Sequence, residues 1–313
     1  MSVWLEIMRV VAEPTRVRIM GVLRGNSLSV AELQEVFDMG QSRISMHLRS
    51  LKKAGLVEDH RDGQRVYYRW RDGLSVEVVE LVERAWRQGV DEALRNRDAQ
   101  RVGQVLRSRR EPSENFFRQL VESSREYAPG RGWQAMAHLF LELIEKGRCV
   151  LADMGSGEGV VSLQVAPHVE KVIAVDLSEK MLQSSRAEAQ RLGLTNVDFR
   201  QGDMEKPPLE AGEVDVVLFS QALHHAASPQ RALRAAWEAL RVGGKVVVLD
   251  VLQHDFENAR SLFGDVWLGF RAPELESWLR WAGFEHVHVK MLQQEEREPH
   301  FKPILAGAKK IAD

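Results

Sequence analysis

Apolar positions along this chain follow two different rhythms. From the N-terminus they recur at helical spacing: Leu5, Met8 and Val11, then Val17, Met20 and Leu23, predicting two short helices broken at Glu13-Pro14. Ser29 followed three residues later by Glu32 marks a capped start for the helix V-A-E-L-Q-E-V-F. After the glycine turn at 38–40, the stretch Gln41 to Ala54 places Ile44, Leu48 and Leu51 on one face and polar residues on the others. The rhythm then becomes alternating from Gly55 to Trp70, which predicts a β-hairpin turning at Asp62-Gly63. A charged helix is expected over Leu74 to Leu106, with Val78, Leu81, Ala85 and Trp86 as its apolar stripe.

Beyond about residue 148 the pattern is that of an α/β domain. Short apolar runs, R-C-V-L-A, K-V-I-A-V-D and V-D-V-V-L-F, alternate with helical segments at 178–192, 229–240 and 273–282, and strands at 286–291 and 303–308 close the sheet. Residues 113–147 also read as helical. Domain boundaries are expected at 1–72, at 73–112 for a helical dimerisation and linker segment with 107–112 as the linker proper, and at 113–313.

The chemistry concentrates at strand ends. Asp153-Met154-Gly155-Ser156-Gly157-Glu158-Gly159 makes a strand-turn-helix whose glycines permit a tight turn and a close backbone approach to a ligand. Asp176 ends the next strand roughly twenty residues later, the spacing of an acid that takes ribose hydroxyls. Asp203 follows the third strand, and Ser220, Gln221, His224 and His225 follow the fourth. The dinucleotide pattern G-x-G-x-x-G fails here, because Val160 and Ser162 stand where it would continue.

Roughly the second half of the chain resembles the class I S-adenosylmethionine-dependent methyltransferases, through D-M-G-S-G-E-G, V-D-L-S, G-D-M and L-R-V-G-G-K-V-V-V-L-D. The resemblance implies a Rossmann-like domain with a mixed seven-stranded sheet whose last strand is antiparallel. It implies that Gly155 and Gly157 lie against the methionine part of S-adenosylmethionine, with Asp153 near its amino group and Ser220 among the contacts. Asp176 would take the ribose, Asp203 the adenine amino group, and Leu177 and Met204 the adenine faces. Tyr127, Arg131 and Trp133 are lid candidates, with Arg131 able to meet the methionine carboxylate. His224 or His225 is the candidate catalytic base.

Over nearly the whole N-terminal unit, P-T-R-V-R-I-M-G-V-L, S-R-I-S-M-H-L-R-S-L-K-K-A-G-L-V and R-D-G-Q-R-V-Y-Y-R resemble the ArsR family of winged-helix repressors. The resemblance implies a homodimer on double-stranded DNA, with Gln41, Ser42, Arg43, Ser45, His47 and Arg49 on the recognition helix and Arg61 and Arg65 on the wing. Where metal-sensing members carry two cysteines, this chain has Ser29 and Ala31, so thiolate-based sensing at that place is not expected.

Composition adjusts this picture only at the margins. Forty-three basic against forty-five acidic residues leave a net charge of −2, so any nucleic-acid surface has to be local. The single cysteine, Cys149, excludes an internal disulfide and the several thiolates that arsenic methylation needs. Acids interrupt the N-terminal apolar run and no stretch of about eighteen apolar residues occurs, which points to a cytoplasmic, membrane-free protein. S-Q-A-L after the fourth strand lacks the Pro-Pro-aromatic segment of amino-directed nucleic-acid methylases, leaving a small-molecule acceptor. His286 and His288 share a strand face without a third ligand, and no metal site is expected. Two functions fit: a regulator that methylates a small molecule, and a non-catalytic repressor that senses S-adenosylmethionine or S-adenosylhomocysteine.

Overall fold

The computed structural model of the protein describes residues 3–120 (with side chains at 4–111), 139, 149–295 and 298–312. The chain divides into two units, Met1–Arg109 and Arg110–Asp313.

In the first unit, helices α1 (Val3–Val11) and α2 (Pro14–Leu23) meet at Glu13, whose carboxylate accepts the amides of Thr15 at 3.1 Å and Arg16 at 2.8 Å. This side-chain cap and the proline at the first helical turn explain the break. Helix α3 (Val30–Phe37) carries the expected capping box: Ser29 Oγ accepts from the Glu32 amide, and the Glu32 carboxylate accepts from the Ser29 amide at 2.7 Å. Asp38, left-handed at φ 56°, ends it, and α4 (Gln41–Lys53) follows. Ile19, Leu28, Leu33, Ile44, Leu48, Leu51 and Leu56 form the buried centre of the helix-turn-helix.

Strands β1 (Leu28–Ser29), β2 (Val57–Asp62) and β3 (Arg65–Trp70) form a sheet in the order β1-β3-β2. The hairpin turns one residue later than expected: Asp62 pairs with Arg65, so the loop is Gly63-Gln64, with Gly63 at φ 59°. The single helix expected over 74–106 is in fact two, α5 (Val76–Gly89) and α6 (Glu92–Leu120). Asp91 makes the second start by accepting the Ala93 amide at 2.9 Å, while Arg95 donates to the Val90 carbonyl at 2.7 Å. Helix α5 lies on α2 so closely that a Cβ on Gly21 would stand 2.5 Å from the Trp86 ring. Asp98, fully buried on α6, receives Arg18 of α2 through two bonds of 2.6 and 2.8 Å. The 107–112 stretch is helical rather than an open connection: α6 runs through it, and the division between the units falls inside that helix.

The second unit is built on a seven-stranded mixed sheet in the order β6-β5-β4-β7-β8-β10-β9. Its strands are β4 (Val150–Met154), β5 (Lys171–Asp176), β6 (Val197–Gln201), β7 (Val214–Ser220), β8 (Leu240–Val251), β9 (Glu285–Met291) and β10 (Pro303–Lys309). β6 through β8 are parallel, and β10 is antiparallel to both β8 and β9. Helices α7 (Val160–Val165), α8 (Glu179–Arg191), α9 (Pro229–Ala239), α10 (Ala259–Leu262) and α11 (Ala272–Ala282) follow their strands. The continuous apolar runs of β4, β5 and β7 are buried on both faces, as parallel strands between helices must be. Strand order reverses between β4 and β7, and the crevice beyond their C-terminal ends is the place such folds reserve for ligands.

Candidate functional site

The glycine turn after β4 sits at this crevice. Gly155, Gly157 and Gly159 all have positive φ, at 73°, 55° and 76°, where a side chain would strain the backbone. A Cβ on Gly155 would lie 2.7 Å from the Ala222 Cβ, whereas one on Gly157 would meet nothing within 4 Å among the described residues, so the turn is tight at its first glycine and roomy at its second. A Cβ on Gly159 would fall 2.0 Å from Ser185 Oγ, fixing the close approach of α7 and α8.

The amides of this turn are engaged internally. Gly155 and Ser156 both donate to the Val175 carbonyl, at 2.8 and 3.0 Å, and Gly157 donates to Asp176 Oδ2 at 2.8 Å. The turn therefore supplies room at the crevice, and its first amides are not open donors for an anion. Asp176 also accepts the Ser178 amide at 2.8 Å; burial pushes its carboxyl above the usual carboxylate range, against the pull of these bonds. Asp153 is buried and accepts from Ser162 Oγ at 2.6 Å, tying the end of β4 to α7.

On the β6 side, Asp203 Oδ1 accepts the Glu205 amide at 2.9 Å, and its other oxygen is paired with Arg110 of α6. Met204 reaches the glycine turn, its Cε 3.1 Å from where a Gly155 Cβ would stand. Leu177 is 39% exposed, an apolar surface beside Asp176. Glu205, which sequence reasoning passed over, is half-buried, accepts the Ser228 amide at 2.9 Å, and its carboxyl is pushed up by desolvation and by the neighbouring Asp203 charge. Arg131 and Trp133, and Tyr127 beside them, lie outside the described residues.

At the end of β7, Ser220 is buried, Gln221 takes φ 53°, and a 3-10 turn, Leu223–His225, carries the histidine pair. His224 is buried: its Nδ1 is 2.7 Å from Asp250 Oδ1, and its Nε2 is 3.5 Å from Asp265 Oδ1. His225 is half-buried with Nδ1 3.1 Å from the Gly264 carbonyl. His224 is thus enclosed by two carboxylates, an arrangement different from an open base facing an acceptor. Asp250 and Asp265 come from positions far along the chain, and no local pattern announced them.

Two buried hydroxyls test whether this crevice suits a polar nucleoside ligand. Ser156 Oγ and Ser220 Oγ, at the ends of β4 and β7, are buried and have no hydrogen-bond partner among the described residues. Buried polar atoms at the switch point, without partners among the described residues and near the glycine turn that Asp176 ties down, fit an adenosyl sulfonium carrying its own donors and acceptors.

In the first unit, α4 exposes Gln41, Ser42, Arg43 and Arg49, with Ser45 half-buried, and the wing exposes Arg61 and Arg65. His47 departs from this set. It is 7% exposed and turned toward Glu13, with Nδ1 3.4 Å from the carboxylate, so it belongs to the seam between α4 and the α2 cap. Its placement follows from Ile44, His47, Leu48 and Leu51 sharing one helical stripe. Arg69, on the same wing, is buried on Glu58 and Asp72.

Comparison with known proteins divides the chain in the same way. Residues 13–59 match the family described as bacterial regulatory protein, arsR family, and residues 152–248 match a methyltransferase domain. Over 62 residues the chain is 36% identical to the transcriptional repressor SdpR of Bacillus subtilis, covering 20% of this chain and 69% of that one. Over 156 residues it is 30% identical to 2-methyl-6-phytyl-1,4-hydroquinone methyltransferase 1 of Oryza sativa subsp. japonica, covering 48% of this chain and 45% of that protein. The chain spans less than half the length of the first curated methyltransferases it matches. In fold it resembles the putative methyltransferase solved in complex with the Haloferax volcanii Trm112 activator, at TM-score 0.52 and 16% identity, covering 64% of this chain and 96% of that one. The cofactor of the C-terminal domain is S-adenosylmethionine. The chain belongs to the arsR family of bacterial regulatory proteins, with a class I methyltransferase domain joined behind its winged helix.

Proposed function

We propose that the protein is a transcriptional regulator that binds operator DNA as a homodimer and methylates a small molecule in its C-terminal domain. The observation that carries the enzymatic half is that, among the described residues, nothing stands within 4 Å of a Cβ placed on Gly157 and the buried Ser156 and Ser220 hydroxyls have no hydrogen-bond partner. S-adenosylmethionine supplies an electrophilic methyl group when bound. In this reading Asp176 holds the ribose hydroxyls, Asp203 the adenine amino group, and Leu177 and Met204 the adenine faces. Asp153, Gly155 and Gly157 border the methionine end. Arg131 and Trp133 remain lid candidates from sequence. Methyl transfer then needs an acceptor aligned in a dry pocket, and the end of β7 is where the acceptor enters.

The dimer is supported by an exposed apolar strip on α1. Trp4 and Met8 of that helix line a groove with Leu81 of α5, and Leu5 beside them is 54% exposed. A second copy laid there would bury this strip and present two recognition helices to two half-sites about one helical turn apart. Arg43 and Arg49 would meet the major groove with Gln41, Ser42 and Ser45, and Arg61 and Arg65 the flanking backbone. The site of action in this reading is the cytoplasm; among the described residues no helix is long and apolar enough to cross a membrane.

One contact favours the alternative, a non-catalytic sensor. Arg110 of α6 is paired with one oxygen of the Asp203 carboxylate, so an adenine amino group bound to the same carboxylate would share that acceptor with it or compete for it. A bound nucleoside would thereby change the contacts of Arg110, and a ligand shifts an equilibrium only through such a difference in contacts. Incubation with labelled S-adenosylmethionine and candidate metabolites separates the two: S-adenosylhomocysteine formation supports the enzyme. Tight binding without turnover, together with a cofactor-dependent mobility shift on promoter DNA that Arg110→Ala abolishes, supports the sensor.

A further inference from the structure

The histidine pair and the loop that packs on it have the layout of a metal centre. A ring nitrogen of His224, a ring nitrogen of His225 and a carboxylate oxygen of Asp265 all lie within 4.8 Å of one another. The two rings are 4.0 Å apart, centre to centre, and His224 Nε2 is 3.5 Å from Asp265 Oδ1. Two imidazoles and one carboxylate are a ligand set for divalent first-row transition ions, and three protein ligands leave positions open for water or substrate.

The surrounding shell makes the arrangement specific. Histidines that bind metals usually donate their other ring N–H to a carboxylate or a carbonyl, which fixes the tautomer and raises the basicity of the ligating nitrogen. Here His224 Nδ1 faces Asp250 Oδ1 at 2.7 Å, and His225 Nδ1 faces the Gly264 carbonyl at 3.1 Å. Each bond, with Nδ1 as donor, leaves the lone pair on Nε2. Asp250 is itself held in place: it is fully buried, and its Oδ1 also accepts the Val251 amide at 2.8 Å. Asp265 does not approach on a loose loop, because the amides of Val266 and Trp267 both donate to the His224 carbonyl, at 3.2 and 3.0 Å. Trp267 Nε1 adds a bond of 2.7 Å to the Ala226 carbonyl. Both histidines and the carboxylate are thus pinned by backbone bonds running between the same two segments.

We infer that His224, His225 and Asp265 form a binding site for one divalent transition-metal ion, with Asp250 and the Gly264 carbonyl as its outer shell. This site is distinct from the cysteine positions of metal-sensing ArsR members, and it needs no turnover to exist. Ala222, two residues before His224, lies against Gly155, so the ion would sit at the β7 end of the crevice. From there it could take an acceptor's hydroxyl oxygen as a ligand and ease loss of its proton.

The test uses the full chain without an affinity tag, stripped with chelator and titrated with Co²⁺, then with Zn²⁺ against a chromogenic chelator. One ion per chain is expected, with the visible absorption of Co²⁺ in a site of low coordination number. His225→Ala and Asp265→Asn should each weaken Zn²⁺ binding by more than about tenfold, and Asp250→Asn by about 10–100-fold, the usual effect of removing an outer-shell partner. Near-ultraviolet circular dichroism checks that each variant is folded. Should a variant unfold, X-ray absorption of the Zn²⁺-loaded wild type decides instead, with two imidazoles expected in the coordination shell. Absence of stoichiometric binding, undiminished binding in folded variants, or a shell without two imidazoles would overturn the site.

Discussion

The Asp176 carboxylate braces the glycine turn of the neighbouring strand by accepting the Gly157 amide at 2.8 Å. The acid assigned to the ribose is therefore also a structural tie between the ends of β4 and β5. Replacing it with alanine should weaken S-adenosylmethionine binding by about 1–3 kcal/mol, the cost of leaving hydrogen-bonding groups unpaired. Isothermal titration calorimetry measures this, and unchanged affinity would remove the ribose role.

The same residue gives the cofactor site a pH dependence with a definite sign. Burial raises its carboxyl pKa, so protonation begins at a higher pH than for an ordinary aspartate. Cofactor affinity should be full above that raised pKa and fall as pH drops through it. In Asp176→Asn this acidic fall should vanish, leaving a weaker and flatter profile in the same titrations.

Gly155→Ala meets two obstacles together. Its φ of 73° is left-handed, which costs a residue with a Cβ about 1–2 kcal/mol, and that Cβ would press on Ala222 at 2.7 Å. Lower thermal stability and loss of cofactor binding are expected. Gly157→Ala shares the backbone penalty at φ 55° but meets no atom of the described residues within 4 Å, so it should be the milder of the two in stability.

Arg43→Ala and Arg49→Ala test the recognition helix. Each should weaken promoter binding, by about 1–3 kcal/mol with relaxed specificity for a base contact, or with a salt slope smaller by about 1 for a phosphate contact. His47→Ala, at a buried position, should lower stability and leave the salt slope alone. Fluorescence anisotropy over a salt series distinguishes these outcomes. If the double arginine variant binds as the wild type does, α4 is not the reading helix.

Asp98→Ala should destabilise the N-terminal unit by about 3–5 kcal/mol, because it leaves the Arg18 guanidinium, 15% exposed, without the carboxylate it grips in two places. Chemical denaturation followed by circular dichroism reads this as an early loss of helix.

Much of this architecture was legible because local signals and burial agree. The capping box at Ser29 and Glu32, the apolar strands and the positive-φ glycines each need only near neighbours to be recognised. His47 shows how polarity can mislead: its place in the Ile44-Leu48-Leu51 stripe was visible, but histidine reads as a surface residue until Glu13 comes into view. The wing loop shifted by one residue because cross-strand pairing carried β2 through Asp62, which is buried. Helix persists at 107–109 without an apolar stripe because Arg109 is held by Glu32 at 2.7 Å, by the Ser27 carbonyl at 2.9 Å and by the face of Tyr67. Such partners, like Asp250 and Asp265 around His224, are distant in sequence and emerge only when the sheet and loops are assembled.

The near-contact between Gly159 and Ser185 sets a rule for natural variation at this fold. Any side chain at 159 would collide with the serine hydroxyl, and the left-handed backbone there penalises one in any case. The two positions should therefore drift as a pair among descendants of this sequence, a bulkier residue at either one demanding a wider gap between the helices that carry them. A homologue that keeps serine at 185 while losing glycine at 159 would have had to rebuild the first turn of α7, and with it the entrance to the crevice.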